Sequence, residues 1–307
     1  MKLFNRIAKI SCVLLLIALV ISPAVQSSPV GITDDLGNEV ELDEAPERII
    51  SLAPNITEML FAVGLGDRVV GRTAFCDYPE EAMEVDTIGS ITEPNIEAIV
   101  SKEPDLIVAD GINPMDVIER LKELDMKVVG FYPASVQDTF SAMTRLGLVT
   151  GNIDESAEVV NDMESRIDAI LDLIGEREER PQVFYEIWNE PLTTAGGDNF
   201  IDNMISLAGG ENIGAEAGSG WPQFGLEDLI YLDPEVYIST PHSADHQVSR
   251  EEILNRDNYQ VLTAVQNERV HIIDQDVVSR PSPRLIDGLK ALVGAIYPEL
   301  EDEIEDI

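Results

Sequence analysis

Two stretches of the chain repeat each other 130 residues apart. Asn95-Ile96-Glu97-Ala98-Ile99-Val100 precedes Glu103-Pro104-Asp105-Leu106-Ile107-Val108, and Gly225-Leu226-Glu227-Asp228-Leu229-Ile230 precedes Asp233-Pro234-Glu235-Val236-Tyr237-Ile238. Each copy predicts a short amphipathic helix with a Glu in its first turn, an acidic-Pro-acidic turn and a buried strand, because proline ends helical periodicity and an apolar, partly β-branched run follows. The chain is therefore expected to hold two similar lobes, each presenting one carboxylate, Glu97 or Glu227, at an equivalent place. A matched pair of surface carboxylates suits a partner that is itself two-fold, since each charge then meets a basic pocket on one half of it. The local alternative is that both face the partial positive charge of a helix N-terminus, worth roughly a few tenths of a kcal/mol. The two roles are compatible.

The rest of the chain fits an α/β organisation. Ile32 to Leu42 alternates around Gly37-Asn38 and predicts a small hairpin. Arg48-Ile49-Ile50-Ser51 predicts a strand, Asn55 the cap of a helix carrying Met59, Leu60 and Val63, and Arg68-Val69-Val70-Gly71 the next strand. Strand and helix patterns continue to alternate to about Gly147, which implies a parallel sheet with crossover helices. From Asn152 to about Glu179, apolar residues fall at three-four spacing, so one long helix is expected, ended by the charged run to Arg180 and by Pro181. A second α/β lobe follows from Gln182 and closes with a helix over Pro283 to Ile296. The expected layout is an N-terminal lobe over 28–148, a linker helix over 149–180 and a C-terminal lobe over 181–307. A single helix between lobes is a stiff connector and predicts limited hinge motion.

Residues 1–27 have the build of a secretory signal: a basic start, an apolar stretch from Val13 to Ile21 and small residues before Ser27. The mature protein is thus expected to be extracytoplasmic, either periplasmic or at the cell surface. Cys12 lies at the start of the apolar stretch rather than after a small-residue cleavage box, which does not support a lipid anchor, and only Cys76 would remain after cleavage, so no disulfide framework is expected. Removing Lys2, Arg6 and Lys9 leaves 17 basic against 58 acidic residues, a net charge of −41. That balance excludes nucleic acid as a partner and suits a surface solvated in concentrated salt. His242 and His246 lie four apart beside Pro241 with no third ligand at metal-binding spacing, and His271 falls in a strand pattern, so no metal site is expected. No nucleophile elbow or phosphate loop is present, and enzyme activity has no support in the sequence.

Several motifs stand in a shared order: Arg48-Ile49-Ile50-Ser51-Leu52-Ala53-Pro54-Asn55-Ile56-Thr57-Glu58, Cys76-Asp77-Tyr78-Pro79, Asn95-Ile96-Glu97, Lys102-Glu103-Pro104-Asp105, Gly209-Gly210-Glu211-Asn212-Ile213 and Trp221-Pro222-Gln223. In this order the chain resembles the helical-backbone substrate-binding proteins of ABC importers, from Ile32 to the last helix, and within them the corrinoid branch most of all. The resemblance implies two α/β lobes joined by one helix, a ligand held in the cleft between them, and delivery to a dimeric membrane permease by a monomeric binding protein. It implies that Glu97 and Glu227 dock on that permease. It further implies that Pro54, Phe75, Trp221 and Pro222 line the cleft, that Asp276 and Arg280 meet the ligand's polar rim, and that cobalamin is a transported ligand rather than a cofactor. Where the corrinoid branch has a tryptophan before Gly89, this chain has Ile88.

Flat ligands favour aromatic walls, which bury much area at little entropic cost. Trp188, at a strand end, is a further candidate for the cleft mouth, with lobe packing as its alternative role. Asp276 and Arg280 could hydrogen-bond a rim of amides, or pair with each other, and Arg280 together with Arg72 could bind an anionic ligand. Cys76 could ligate a metal from the wall or fill a buried gap. Two alternatives therefore stay open: a ferric siderophore or haem as ligand, and an adhesion module or surface receptor that uses the lobes for protein contact.

Overall fold

The computed structural model describes residues 29–241 and 248–307. The expected signal segment and the pair His242 and His246 lie outside the described residues.

A two-stranded hairpin, β1 (Ile32–Thr33) and β2 (Glu39–Val40), turns at Gly37 with φ 79°. Asp34 and Asp35 tie it to the first lobe by accepting from Gly130 N and Tyr132 N. The N-terminal sheet comprises β3 (Ile49–Ser51), β4 (Val69–Arg72), β5 (Leu106–Asp110) and β6 (Val128–Phe131), all parallel in the order β4-β3-β5-β6. Its strands are buried on both faces, as a parallel sheet sandwiched by crossover helices requires. Those helices are α1 (Pro54–Ala62), α2 (Ile96–Ser101), α3 (Met115–Glu123) and α4 (Val136–Thr150).

The long helix, α5 (Ile153–Ile174), is shorter than its pattern suggested. Gly175, at φ 64°, ends it before the charged run and Pro181 are reached. It packs against α4 on one side and against the last helices of the chain on the other. Its buried face, Val160, Met163, Ile167, Ile170 and Ile174, belongs to one apolar core that continues into both lobes.

The C-terminal sheet is built from β7 (Gln182–Asn189), β8 (Leu192–Thr194), β9 (Glu211–Asn212), β10 (Val236–Ser239) and β11 (Val270–Ile272). The order is β11-β10-β7-β8, with β9 also on β7; only β8 runs antiparallel. Its helices are α6 (Phe200–Leu207), α7 (Leu226–Leu232), α8 (Arg250–Leu254), α9 (Thr263–Gln266), α10 (Gln275–Ser279), α11 (Leu285–Ile296) and α12 (Glu301–Glu305). The helix expected to close the chain is thus followed by one more.

The sequence repeat is a repeat of backbone. Glu103 and Asp233, each preceding the proline, sit at φ 48° and 45°. Asp105 accepts from Arg48 N at the start of β3, and Glu235 accepts from Gln182 N at the start of β7. In the next strands Ile107 N donates to Lys127 O, and Tyr237 N to Arg269 O. The lobes therefore superpose in role, β3 with β7 and β5 with β10, and α2 is the counterpart of α7.

Candidate functional site

In parallel sheets the loops that leave the C-terminal strand ends form the binding crevice. Here a cleft of about 630 Å³ collects those loops from both lobes. The N-terminal lobe gives Pro54 and Asn55 after β3, Phe75 after β4, Asp110 to Ile112 at the end of β5 and Tyr132 to Ala134 after β6. The C-terminal lobe gives Asp198 to Ile201 at the start of α6, Trp221, and Gln275 to Pro281 around α10.

Of the residues singled out in the sequence, Pro54, Phe75, Trp221, Asp276 and Arg280 line this one cleft. Phe75 and Trp221, on opposite lobes, leave 60% and 56% of their surfaces in solvent. Such large apolar areas cost free energy while uncovered. Trp188 and Pro222 are not among the lining residues. Trp188 sits on the β7–β8 hairpin, where its indole N–H donates to Glu190 O at 2.9 Å. Pro222 lies beside Trp221 with its carbonyl accepting from Thr194 N at 3.1 Å.

Asn55 is not the cap of its helix. Ala53 holds that position, Pro54 supplies a first-turn residue with no N–H to satisfy, and buried Asn55 turns to the cleft floor and donates to Asp110 Oδ2 at 2.8 Å. Asp110 also accepts from Ile112 N, yet burial still pushes its carboxyl above the ordinary range. Asn55, Asp110, Tyr132 and Asp198 were missed as site residues. Their signal was positional: Asp110 ends an apolar strand, Tyr132 directly follows one and Asn55 lies four residues beyond another, all at the end where a parallel sheet binds.

Among the described residues Arg280 is the single cation on the lining, and three carboxylates surround it. Its guanidinium meets Glu58 at 3.0 Å, Asp77 at 3.0 Å and Asp276 at 2.7 Å. The Asp276–Arg280 pair considered from sequence is therefore present, joined to two further acids from the other lobe. Arg72 does not face the cleft. It is buried, and its guanidinium donates to the carbonyls of Ala82, Thr73 and Met83. Cys76 is fully buried with Sγ 3.1 Å from Thr73 Oγ1, and burial raises its thiol pKa, so the sulfur fills the core behind the wall. Ile88 is likewise fully buried and packs in the N-terminal sheet's core.

Glu97 and Glu227 stand in the first turns of α2 and α7, both exposed. They are far from the cleft lining in function: neither contributes to it.

Comparison with known proteins gives a concordant picture. Residues 49–277 match the model of the family described as "Periplasmic binding protein". An uncharacterized ABC transporter substrate-binding lipoprotein of Bacillus subtilis is 31% identical over 278 residues, covering 88% of this chain and 86% of the relative. Among solved structures, a possible iron-binding (periplasmic solute-binding) protein from Staphylococcus epidermidis aligns with TM-score 0.73 and 30% identity, over 83% of this chain and all of that one. The periplasmic vitamin B12 binding protein of Vibrio cholerae aligns with TM-score 0.72 and 26% identity, over 84% and 99% of the two chains. Two α/β lobes across one helix, with a cleft made from strand-end loops of both, thus place this chain in the periplasmic binding protein family, as the substrate-binding component of an ABC importer and not an enzyme.

Proposed function

We propose that the cleft captures a corrinoid of the cobalamin type outside the cytoplasm and that Glu97 and Glu227 then dock the loaded protein on a two-fold permease. The observation that carries the ligand assignment is the pairing of two exposed aromatic faces, Phe75 and Trp221, with a cleft whose one cation among the described residues, Arg280, is already neutralised. An anionic siderophore or haem needs a free guanidinium or ammonium to offset desolvation of its charge. Arg280 is committed to three acids, Arg72 to backbone carbonyls, and Asp110 and Asp198 add negative charge to the lining. A corrinoid presents a broad face to aromatic walls and an uncharged rim of amides that Asn55, Asp276 and Gln275 can meet. Family membership favours this transport role over adhesion, and the likeness to a possible iron-binding protein makes an iron chelate the competing ligand.

Calorimetric titration with cyanocobalamin, haem and an anionic ferric catecholate at low and high salt tests the assignment. Cyanocobalamin is expected to bind with an affinity that changes little with salt, because the contacts are largely uncharged. Heat from haem or the ferric chelate, falling with salt, and none from cyanocobalamin would reverse it.

A further inference from the structure

The docking helices carry more than their two carboxylates. Glu97 and Val100 on α2, and Glu227 and Ile230 on α7, stand three residues apart on one helix face, opposite the buried Ile99 and Leu229. Val100 and Ile230 are both exposed, at 38% and 37% of their surfaces. The chain thus builds the same acid-and-aliphatic unit twice. The next position breaks the symmetry. Ser101 is small and donates back to Ala98 O, whereas its counterpart Tyr231 projects with 86% of its surface in solvent, the highest value of any large apolar side chain among the described residues.

Tyrosine exposed to this degree gains nothing for the fold, and its flat amphipathic ring is a frequent anchor of protein interfaces. Beside it lies a recess of about 320 Å³ lined by Glu216, Gln223, Phe224 and Asp228 as well as Tyr231. The recess, with acids at its edge, an aromatic ring beside it and Glu227 on the same helix, is complementary to a long basic side chain.

We infer that the two docking half-sites are unequal: the C-terminal lobe's half-site, anchored by Tyr231, holds a basic side chain of the permease more tightly than the N-terminal lobe's half-site, where Ser101 leaves only the Glu97–Val100 unit. The inference rests on the docking role of Glu97 and Glu227. The occupant is one half of the permease dimer, with an arginine or lysine flanked by an apolar shelf for Ile230. Against a two-fold partner, the stronger half-site seats first and the weaker one completes the contact.

Binding of the intact protein to its cognate permease in lipid nanodiscs tests this, with cyanocobalamin titration and thermal melting as controls for cleft and fold. Tyr231→Ala is expected to weaken docking roughly tenfold or more, the range of an interface anchor, with the controls unmoved. Tyr231→Phe keeps most of the affinity because the ring face remains. Ser101→Tyr, which adds an anchor instead of removing one, tightens docking. Tyr231→Ala docking as the wild type, in an assay where the double variant Glu97→Ala/Glu227→Ala fails to dock, would overturn the inequality and leave the docking role standing. Normal docking by that double variant would overturn both.

Discussion

Trp221 holds more than half of its surface in solvent across the cleft from Phe75, so its contribution appears only when a ligand covers it. Lobe packing does not depend on the ring, and Trp221→Ala is expected to leave the melting temperature unmoved. Lost burial should weaken ligand binding by about 1–3 kcal/mol, roughly 5- to 150-fold. Calorimetry on the folded variant checks this; unchanged affinity would return Trp221 to a surface role. Arg280 behaves in the opposite way. It lines the same cleft, but its charge is spent before any ligand arrives, so its removal would disturb Glu58, Asp77 and Asp276 first. Two residues with equal claims on the ligand in the sequence thus differ because one is bare and the other is saturated.

At the scale of elements, β11 carries a pH dependence. His271 lies in register with Ile238, and its Nε2 is buried with no hydrogen-bond partner among the described residues. Burial, and then the charges of Arg269 and Arg250, depress its pKa below the ordinary 6.5. As pH falls through 6.5 the unfolded chain takes up a proton before the folded one, so the stability His271 allows is full above that value and is lost below it. Melting between pH 7.5 and 5.5 should show a decline that His271→Gln makes shallower; equal slopes in the two proteins would refute the assignment. That His271 falls in a strand was legible in the sequence, since Val270 to Ile273 is apolar but for it, whereas its missing partner was not. The same division holds elsewhere. The repeat disclosed α2 and α7, their following strands and the lobe equivalence, because proline and β-branched residues act locally. Helix ends were less legible: Gly175 stops α5 although charged residues of good helix propensity follow, and Asn55, which fits a cap by residue type, is drawn to Asp110, 55 residues away, by a hydrogen bond.

Over the whole molecule, the relation between the lobes depends on a residue that no local pattern marks. Glu58 projects from α1, and its side chain is 1% exposed. Among the described residues every hydrogen bond of its carboxylate crosses to the other lobe: Oε1 accepts from Arg280 and Arg284 at 3.0 and 2.6 Å, and Oε2 from Ser282 and Arg284 at 2.5 and 3.0 Å. Arg284 in turn lies 4.1 Å from the centre of the Tyr78 ring, again across the lobes. This latch adjoins the cleft through Arg280 and supplements the continuous core along α5, so the two lobes are expected to melt as one unit and to close by a small motion. Removing a single partner from a buried, charge-assisted network costs about 3–5 kcal/mol when the remaining charges lose their counterion. Arg280 keeps Asp77 and Asp276, which sets Glu58→Ala toward the lower end. The variant should lower the melting temperature, broaden or split the transition, and raise the radius of gyration in small-angle scattering, while Glu58→Gln, which keeps an acceptor, should fall between it and the wild type. Ligand affinity should drop with it, since Pro54, Asn55 and Phe75 on one lobe would no longer be held in place against Trp221 and Asp276 on the other. A Glu58→Ala protein that melts in one unshifted transition and scatters like the wild type would show that the core along α5 alone fixes the lobes, and the cleft's geometry would then have to be traced to that helix.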